Sequence, residues 1–369
     1  MVVSRQEYER RYIAVRELMK QDELDCLVIV GLADDFNRGN IRYVTGSGRG
    51  GYCVFPLEGK PVLLTGLNQS ASPKIRKTIE AVDLLELRET ADYIPQVGRE
   101  LSRFSRGGKI GIVGMGCISV PVYLNLKEIF GDKLVDAISI FERVRAIKSE
   151  EEIEKMRIAA AVADNVFDKL MATIKPGIGD YEIYGLVKST IHNYGCDYSF
   201  DLIDAGGGTM NMTYFPTGEK LKENSTLFME ITPAFEGYYA QLPVTLPVGS
   251  YPPVIRKMVA TWEKADMLAQ TLLRPGTRVS ELYRCLVESV AEDGFISPLR
   301  PGHAIGLDAL DFWSITGSSP VVLRAGMTLA VHPSIMTELG GDACGMGYTY
   351  LITEDGSERL SRVDLSSLL

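Results

Sequence analysis

Histidine is scarce in this chain: His192, His303 and His332 are all that 369 residues supply. Imidazole chemistry therefore has only three places to come from. No apolar run approaches the roughly 20 residues of a membrane-spanning helix. The first stretch, MVVSRQEYERRYIAVRELMKQ, lacks the apolar core and small-residue cleavage site of a signal peptide and reads as a charged amphipathic helix. A basic surface is missing too. Lys and Arg number 39 against 48 Asp and Glu, a net charge of −9, which argues against nucleic acid or an anionic membrane as partner. Six cysteines are scattered without a CxxC or a pairing rhythm, as expected of reduced thiols in a cytoplasmic protein. The glycines at 206–208 are followed by no lysine, and no G-x-x-x-x-G-K spacing exists, so a phosphate loop is excluded.

What is present reads as ordinary globular protein, 46% hydrophobic and 24% charged. At roughly 100–200 residues per domain the length predicts two domains. In the first half, apolar strand-like runs at 24–31, 60–66, 81–87, 109–114 and 134–137 alternate with helical patterns at 5–21, 70–80, 91–104 and 120–130. NIRYVTGSGRGGYCVF (40–55) reads as two strands around a glycine-rich turn. Strands alternating with helices predict an α/β domain over residues 1–145 with one central sheet.

A second domain is predicted over 150–369. Ser149 followed by Glu150, Glu151 and Glu152 is a helix start, with carboxylates against the positive end of the helix dipole. The helix ends in KPGIGDYE (175–182), and a second long helix ends in RPGTRVSE (274–281). Each Pro-Gly turn opens a further helix, so this half contains an internal echo and predicts a pseudo-symmetric α+β domain with a cleft on its axis. Strands are expected at 198–208, at 225–249 as a hairpin turning at Glu236-Gly237, and at 326–336 and 347–356.

IKSEEEIEKMRIAA, the KPG turn, EGYYAQLPVT, GHAIGLD, GMTLAVHP and YLITEDG follow one another in an order that resembles the creatinase, aminopeptidase P and prolidase family, the pita-bread proteins. NIRYVTGSGRGGYCVF resembles the amino-terminal domain of that family, so the likeness spans nearly the whole chain. It implies a creatinase-like α/β domain, a carboxy-terminal pita-bread domain and a homodimer.

The same resemblance implies a departure in chemistry. Peptidases of the family hold two metal ions with two aspartates, a histidine and two glutamates. Those positions are Glu230, Gln241, His303, His332 and Gly347 here, and only His303 keeps the ligand type. Two neighbouring dications need bridging carboxylates, so no metal and no cofactor are expected. Two further histidines of the peptidases fall at Thr213 and Leu310. Creatinase, which hydrolyses a C–N bond without metal, is the nearer guide, although its general-base histidine also falls at Thr213 and two of its glutamates fall at Pro243 and His332. Arg49 stands where creatinase has an arginine that reaches the neighbouring subunit's substrate carboxylate, a task suited to the guanidinium fork.

The expected catalytic set is therefore Glu230, His303 and His332, with Gln241, Arg49, Tyr239 and Tyr348 binding substrate. One histidine, oriented by Glu230, would activate water; the other would protonate a leaving nitrogen. The expected activity is metal-independent hydrolysis or lysis of a C–N bond in a small, amino-acid-like molecule. Two alternatives stand beside it: a metal-dependent Xaa-Pro peptidase-like hydrolase with altered ligands, and a non-catalytic binding protein. Asp308 and Asp311 are candidates to add acidity to the cleft but read first as solvated loop residues, His192 reads as a surface or packing residue, and Cys344 as no nucleophile.

Overall fold

The computed structural model describes residues 3–66, 83–208, 210 and 212–369. The chain divides into two compact units, Met1–Ala146 and Ile147–Leu369.

In the first unit α1 (Arg5–Gln21) starts at Ser4, whose hydroxyl accepts from the Glu7 N–H at 3.1 Å. Its inner face carries Tyr8, Tyr12, Val15, Leu18 and Met19, at the three- and four-residue spacing of one helical stripe. Six strands form one sheet in the order β4-β3-β2-β1-β5-β6: β1 (Leu24–Gly31), β2 (Gly51–Pro56), β3 (Val62–Gly66), β4 (Glu86–Thr90), β5 (Lys109–Val113) and β6 (Leu134–Asp136). Central β1 is antiparallel to β2 and parallel to β5. It is buried along most of its length, which explains its unbroken apolar run. Helices α3 (Tyr93–Phe104), α4 (Val120–Phe130) and α5 (Ile138–Ala146) complete the unit.

The reading of 40–55 as two strands is corrected. Its first piece is a helix, α2 (Gly39–Thr45), stopped by Gly46 in the left-handed conformation at φ 71°. Every residue of α2 is buried, so apolar periodicity has no exposed face from which to show itself. The helix expected at 70–80 and the first residues of the strand expected at 81–87 lie outside the described residues.

The second unit displays the echo as geometry. Helices α6 (Glu150–Thr173) and α7 (Asp180–Asn193) form one pair; α8 (Pro253–Leu272) and α9 (Val279–Glu292) form the other. Gly177 and Gly276 adopt φ of 90° and 92°. Their N–H groups donate to Leu221 O at 2.8 Å and Leu323 O at 2.9 Å. Glu152 folds back onto the Ser149 N–H at 2.9 Å, the acidic half of a capping box.

The strands lie in four small sheets. β9 (Ser225–Ile231) runs between β8 (Leu202–Asp204) and β12 (Leu242–Val248); β13 (Gly302–Ala304), β14 (Thr328–Val331), β17 (Tyr348–Ile352) and β18 (Ser357–Arg359) form another sheet. Short β7 (Tyr198–Ser199), β10 (Pro233–Phe235) and β11 (Tyr238–Tyr239) form a third, and β15 (Ser334–Met336) with β16 (Ala343–Gly345) the fourth. Segment 225–249 is thus two nested hairpins in different sheets. The inner one turns at Glu236 and Gly237, both with positive φ, as a two-residue hairpin requires. Gln241 falls where the chain passes from β11 to β12, and that crossing places its side chain in the site. Among the described residues no helix is long and apolar enough to cross a membrane.

Candidate active site

Strand register builds the site. His303 lies opposite Ala330, which lies opposite Thr349, so these three side chains share a row on one face of the sheet. One rung on, the His332 N–H donates to Pro301 O at 2.8 Å, continuing the β13–β14 ladder. That rung places His332 and Gly347 on the same face. The two imidazole rings meet edge to face, 5.2 Å between centroids.

Gln241 is fastened to that face through its backbone. Its N–H donates to Thr349 Oγ1 at 2.8 Å, and the same hydroxyl donates to Gln241 O at 3.1 Å. The side chain then reaches Glu230 on β9, with Nε2 donating to Glu230 Oε1 at 2.7 Å. Glu230 of β9 and Gln241 of the β11–β12 crossing are thus joined side chain to side chain, and His303 and His332 meet ring to ring on the β13–β14 pair, whose sheet holds the Gln241 backbone through Thr349.

Burial sets the protonation states. It pushes the Glu230 carboxyl up to about 7, with the Arg300 guanidinium opposing and the Asp201 carboxylate reinforcing the rise. Burial also holds His303 down to about 4 and His332 well below the usual imidazole range, the latter with help from His303 and Arg300. Both imidazoles are neutral at neutral pH. His303 Nδ1 lies 2.9 Å from Ala304 O; a carbonyl only accepts, so the proton is assigned to Nδ1 and Nε2 carries the lone pair. His332 Nε2 and Gln241 Oε1 are buried without a hydrogen-bond partner. Buried polar atoms are rarely left so.

The other expected residues fall differently. Tyr239 is buried on β11, its N–H donating to Gly306 O at 2.8 Å. The Tyr348 hydroxyl accepts from the Leu365 N–H at 2.8 Å, and the Arg359 guanidinium stacks 4.5 Å from its ring. That hydroxyl seats the carboxy-terminal turn Leu365–Leu368 and is not spent on the Glu230 cluster. Arg49 belongs to the first unit, exposed on the loop between α2 and β2, with its N–H on Ser47 Oγ at 3.3 Å.

Thr213 Oγ1 donates to Ile203 O at 2.9 Å, a loop contact. His192 Nδ1 meets Cys196 O at 3.0 Å near the end of α7, a local packing role. The Cys344 thiol is pushed up to about 12 by burial, far from a nucleophile's range.

Two residues had escaped sequence reasoning, and one expectation is overturned. Asp308 and Asp311 are buried rather than solvated. Asp311 pairs with Lys148 Nζ at 3.2 Å, both side chains almost fully enclosed. Nothing in the GLDALD motif announces a lysine more than a hundred residues earlier as its partner. The second missed residue is Arg300, whose charge reaches Glu230, His303 and His332 alike. Its proximity to His303 in the chain was the available signal.

Paired helices around small mixed sheets, joined in one chain to a six-stranded α/β unit, define a pita-bread hydrolase fold. Residues 154–354 match metallopeptidase family M24, and residues 11–147 match the creatinase/prolidase N-terminal domain. The chain belongs to family M24, whose members are hydrolases of C–N bonds. It is 23% identical over 359 residues to the uncharacterized peptidase YqhT of Bacillus subtilis, covering 94% of this chain and 96% of that one. Among solved structures it resembles an Xaa-Pro dipeptidase from Bacillus anthracis, with TM-score 0.83, 18% identity and coverage of 97% and 98% of the two chains. It also resembles a prolidase from Pyrococcus horikoshii, with TM-score 0.80, 19% identity and coverage of 96% and 99%.

The family name implies metal, and the donor set does not fit a dinuclear centre. Among the described residues no three or more His, Cys, Asp or Glu side chains gather as a metal site. The cluster has one carboxylate, and Gln241 already occupies one of its oxygens. At Gly347 a Cβ would stand 2.1 Å from Val331 O and 2.6 Å from His332 Cβ. The position at which the resemblance expects the last glutamate thus has no room for any side chain.

Proposed function

We propose that this protein is a metal-independent, creatinase-like hydrolase that cleaves a C–N bond in a small amino-acid-like substrate. The observation that carries the reading is the Glu230 carboxyl, buried, held by Gln241 and poised near neutrality. A group with that proton affinity serves equally well as acid and base at neutral pH. Glu230 Oε2 takes a proton from water as the water oxygen attacks the electrophilic carbon. It returns that proton to the leaving nitrogen as the C–N bond breaks. The imidazole lone pairs accept hydrogen bonds and orient water and substrate. This assigns the proton transfers to Glu230, whereas sequence reasoning had divided them between the histidines, because burial keeps both imidazoles unprotonated and weakly basic. Arg49 of a second copy is proposed to complete the site in a cytoplasmic homodimer, as the resemblance to creatinase implies.

A second reading, hydrolysis of Xaa-Pro dipeptides, is favoured by what the names of the structural relatives say of those proteins. Elemental analysis together with an activity screen decides between them. The first reading expects substoichiometric metal after incubation with Mn²⁺, Zn²⁺ or Co²⁺, turnover of small amides or ureas that survives chelators, and a loss of about 10²–10⁴-fold in Glu230→Gln. One tightly bound ion per chain with Xaa-Pro cleavage would overturn it.

A further inference from the structure

One hydroxyl holds both backbone polar groups of Gln241. Thr349 Oγ1 accepts from the Gln241 N–H at 2.8 Å and donates to Gln241 O at 3.1 Å. A hydroxyl has one proton to give and lone pairs to receive, so both of its capacities are turned on a single residue. Gln241 needs such a partner because it belongs to neither ladder beside it: β11 ends at Tyr239 and β12 begins at Leu242. Thr349 is itself anchored on two sides. It lies opposite Ala330 of β14, and on its other side its carbonyl accepts from the Leu360 N–H at 3.0 Å. Its branched Cβ leaves χ1 little freedom, and the residue is 1% exposed.

That grip on the backbone decides what the side chain does. Gln241 Nε2 donates to Glu230 Oε1 at 2.7 Å, while Oε1 of the same amide is enclosed without a partner. One bond therefore holds the amide, and its direction depends on the backbone that carries it. A proton on Glu230 Oε1 would face the Gln241 N–H, so the protonated carboxyl carries its proton on Oε2. We propose that Thr349 is a positioning residue: its hydroxyl, by gripping the Gln241 backbone, aims the Gln241 amide at Glu230 Oε1 and keeps the carboxyl proton on Oε2. The inference rests on reading Glu230 as the group that moves protons, and it names what orients that group. Valine in place of Thr349 would keep the shape but leave two buried backbone groups of Gln241 without their partner, and the crossing would have to shift to satisfy them.

The Gln241–Glu230 bond is the direct readout, and it needs no substrate. In NMR spectra of the full chain labelled at its glutamine side chains, the Gln241 amide is assigned by its loss in Gln241→Leu. One of its two protons should be shifted downfield and slow to exchange with solvent. Thr349→Val, which lacks the hydroxyl, should lose that signature, and Thr349→Ser, which lacks only the methyl group, should retain it. On a small amide or urea that the wild type turns over, kcat should fall about 10–100-fold in Thr349→Val with little change in KM, and serine should restore most of it. A packing role gives the opposite order, valine tolerated and serine damaged. That order would overturn the assignment, as would an amide signature unchanged in Thr349→Val. Unfolding curves check both variants; should Thr349→Val fail to fold, the signature kept in Thr349→Ser supports the assignment and the signature lost there overturns it. A hydroxyl-dependent signature in a protein that hydrolyses no amide would leave this inference standing and remove the hydrolase reading. Metal-free hydrolysis that Glu230→Gln abolishes and Thr349→Val leaves untouched would do the reverse.

Discussion

The second unit holds two kinds of buried polar cluster. Both carboxylate oxygens of Asp266 are bonded: Tyr350 donates to Oδ1 at 2.6 Å and Gln270 to Oδ2 at 2.8 Å. The Lys148–Asp311 pair joins opposite charges at 3.2 Å beside Gly306, where a Cβ would stand 2.7 Å from Asp311 Oδ2. Around Glu230, by contrast, one hydrogen bond links Gln241 to the carboxyl while two buried atoms nearby have none. Asp266 and Glu230 are each 7% exposed, so burial alone does not separate structural polarity from functional polarity. What differs is the pairing of the groups around them. A satisfied network locks packing, whereas an unsatisfied one keeps binding capacity at a cost in stability.

The comparison breaks most severely if a satisfied pair is opened. Lys148→Ala removes the buried cation that meets the Asp311 carboxylate at 3.2 Å. A loss of about 3–5 kcal/mol in urea unfolding is expected, and a loss below about 1 kcal/mol would show that the pair is not structural. Next in size is the pH dependence contributed by Glu230. Its folded value, near 7, lies above the ordinary carboxyl range, so the folded state holds a proton that the unfolded chain gives up near pH 4.5. Stability from this group is therefore full below about pH 4.5 and is lost as pH rises toward 7, by of the order of 3 kcal/mol. Glu230→Gln, which cannot titrate, should flatten that part of the curve. An unaltered slope between pH 4.5 and 7 would place the proton elsewhere.

Gly347 tests the boundary between the two kinds of cluster. An alanine there meets Val331 O and His332, and the end of β14 must move to admit it. Overpacking of this sort costs about 1–3 kcal/mol, read as a lower Tm. A Gly347→Glu variant that kept the wild-type Tm and took up metal would show that the lost ligand position can be restored by a single change.

Much of this was legible in the residues. Capping at Ser149, the two Pro-Gly turns and the alternation of GHAIGLD and GMTLAVHP all act locally, through φ, helix dipoles and the two-residue strand period, so they can be read without tertiary knowledge. His303 and His332 were found by motif, and strand register explains why they meet. What stayed hidden depends on partners remote in sequence. Lys148 meets Asp311 only after the chain closes, and Gly347 is crowded by a neighbouring strand that its own segment does not reveal. The seven residues of α2 are buried on all sides, so no polar face marked them as helix. Tyr348 stood beside a ligand position in the motif, yet its hydroxyl is used by Leu365.

The smallest expected effect is the most discriminating. His332 is half-buried, its Nε2 is enclosed without a partner, and burial disfavours its charged form. In a structural cluster, removing such a group would cost the hydrogen bonds it makes. Here no bond through Nε2 exists to lose, while the penalty of burying an unpaired acceptor disappears. His332→Leu, of similar volume, should therefore alter unfolding stability by less than about 1 kcal/mol, in either direction, while lowering turnover and binding of small amides or ureas by at least about tenfold. A large loss of stability would move His332 into the same class as Asp311 and Asp266, and the unpaired nitrogen would no longer mark a binding place. Stability retained with binding lost is the pattern that a residue held for its ligand, rather than for the fold, must give.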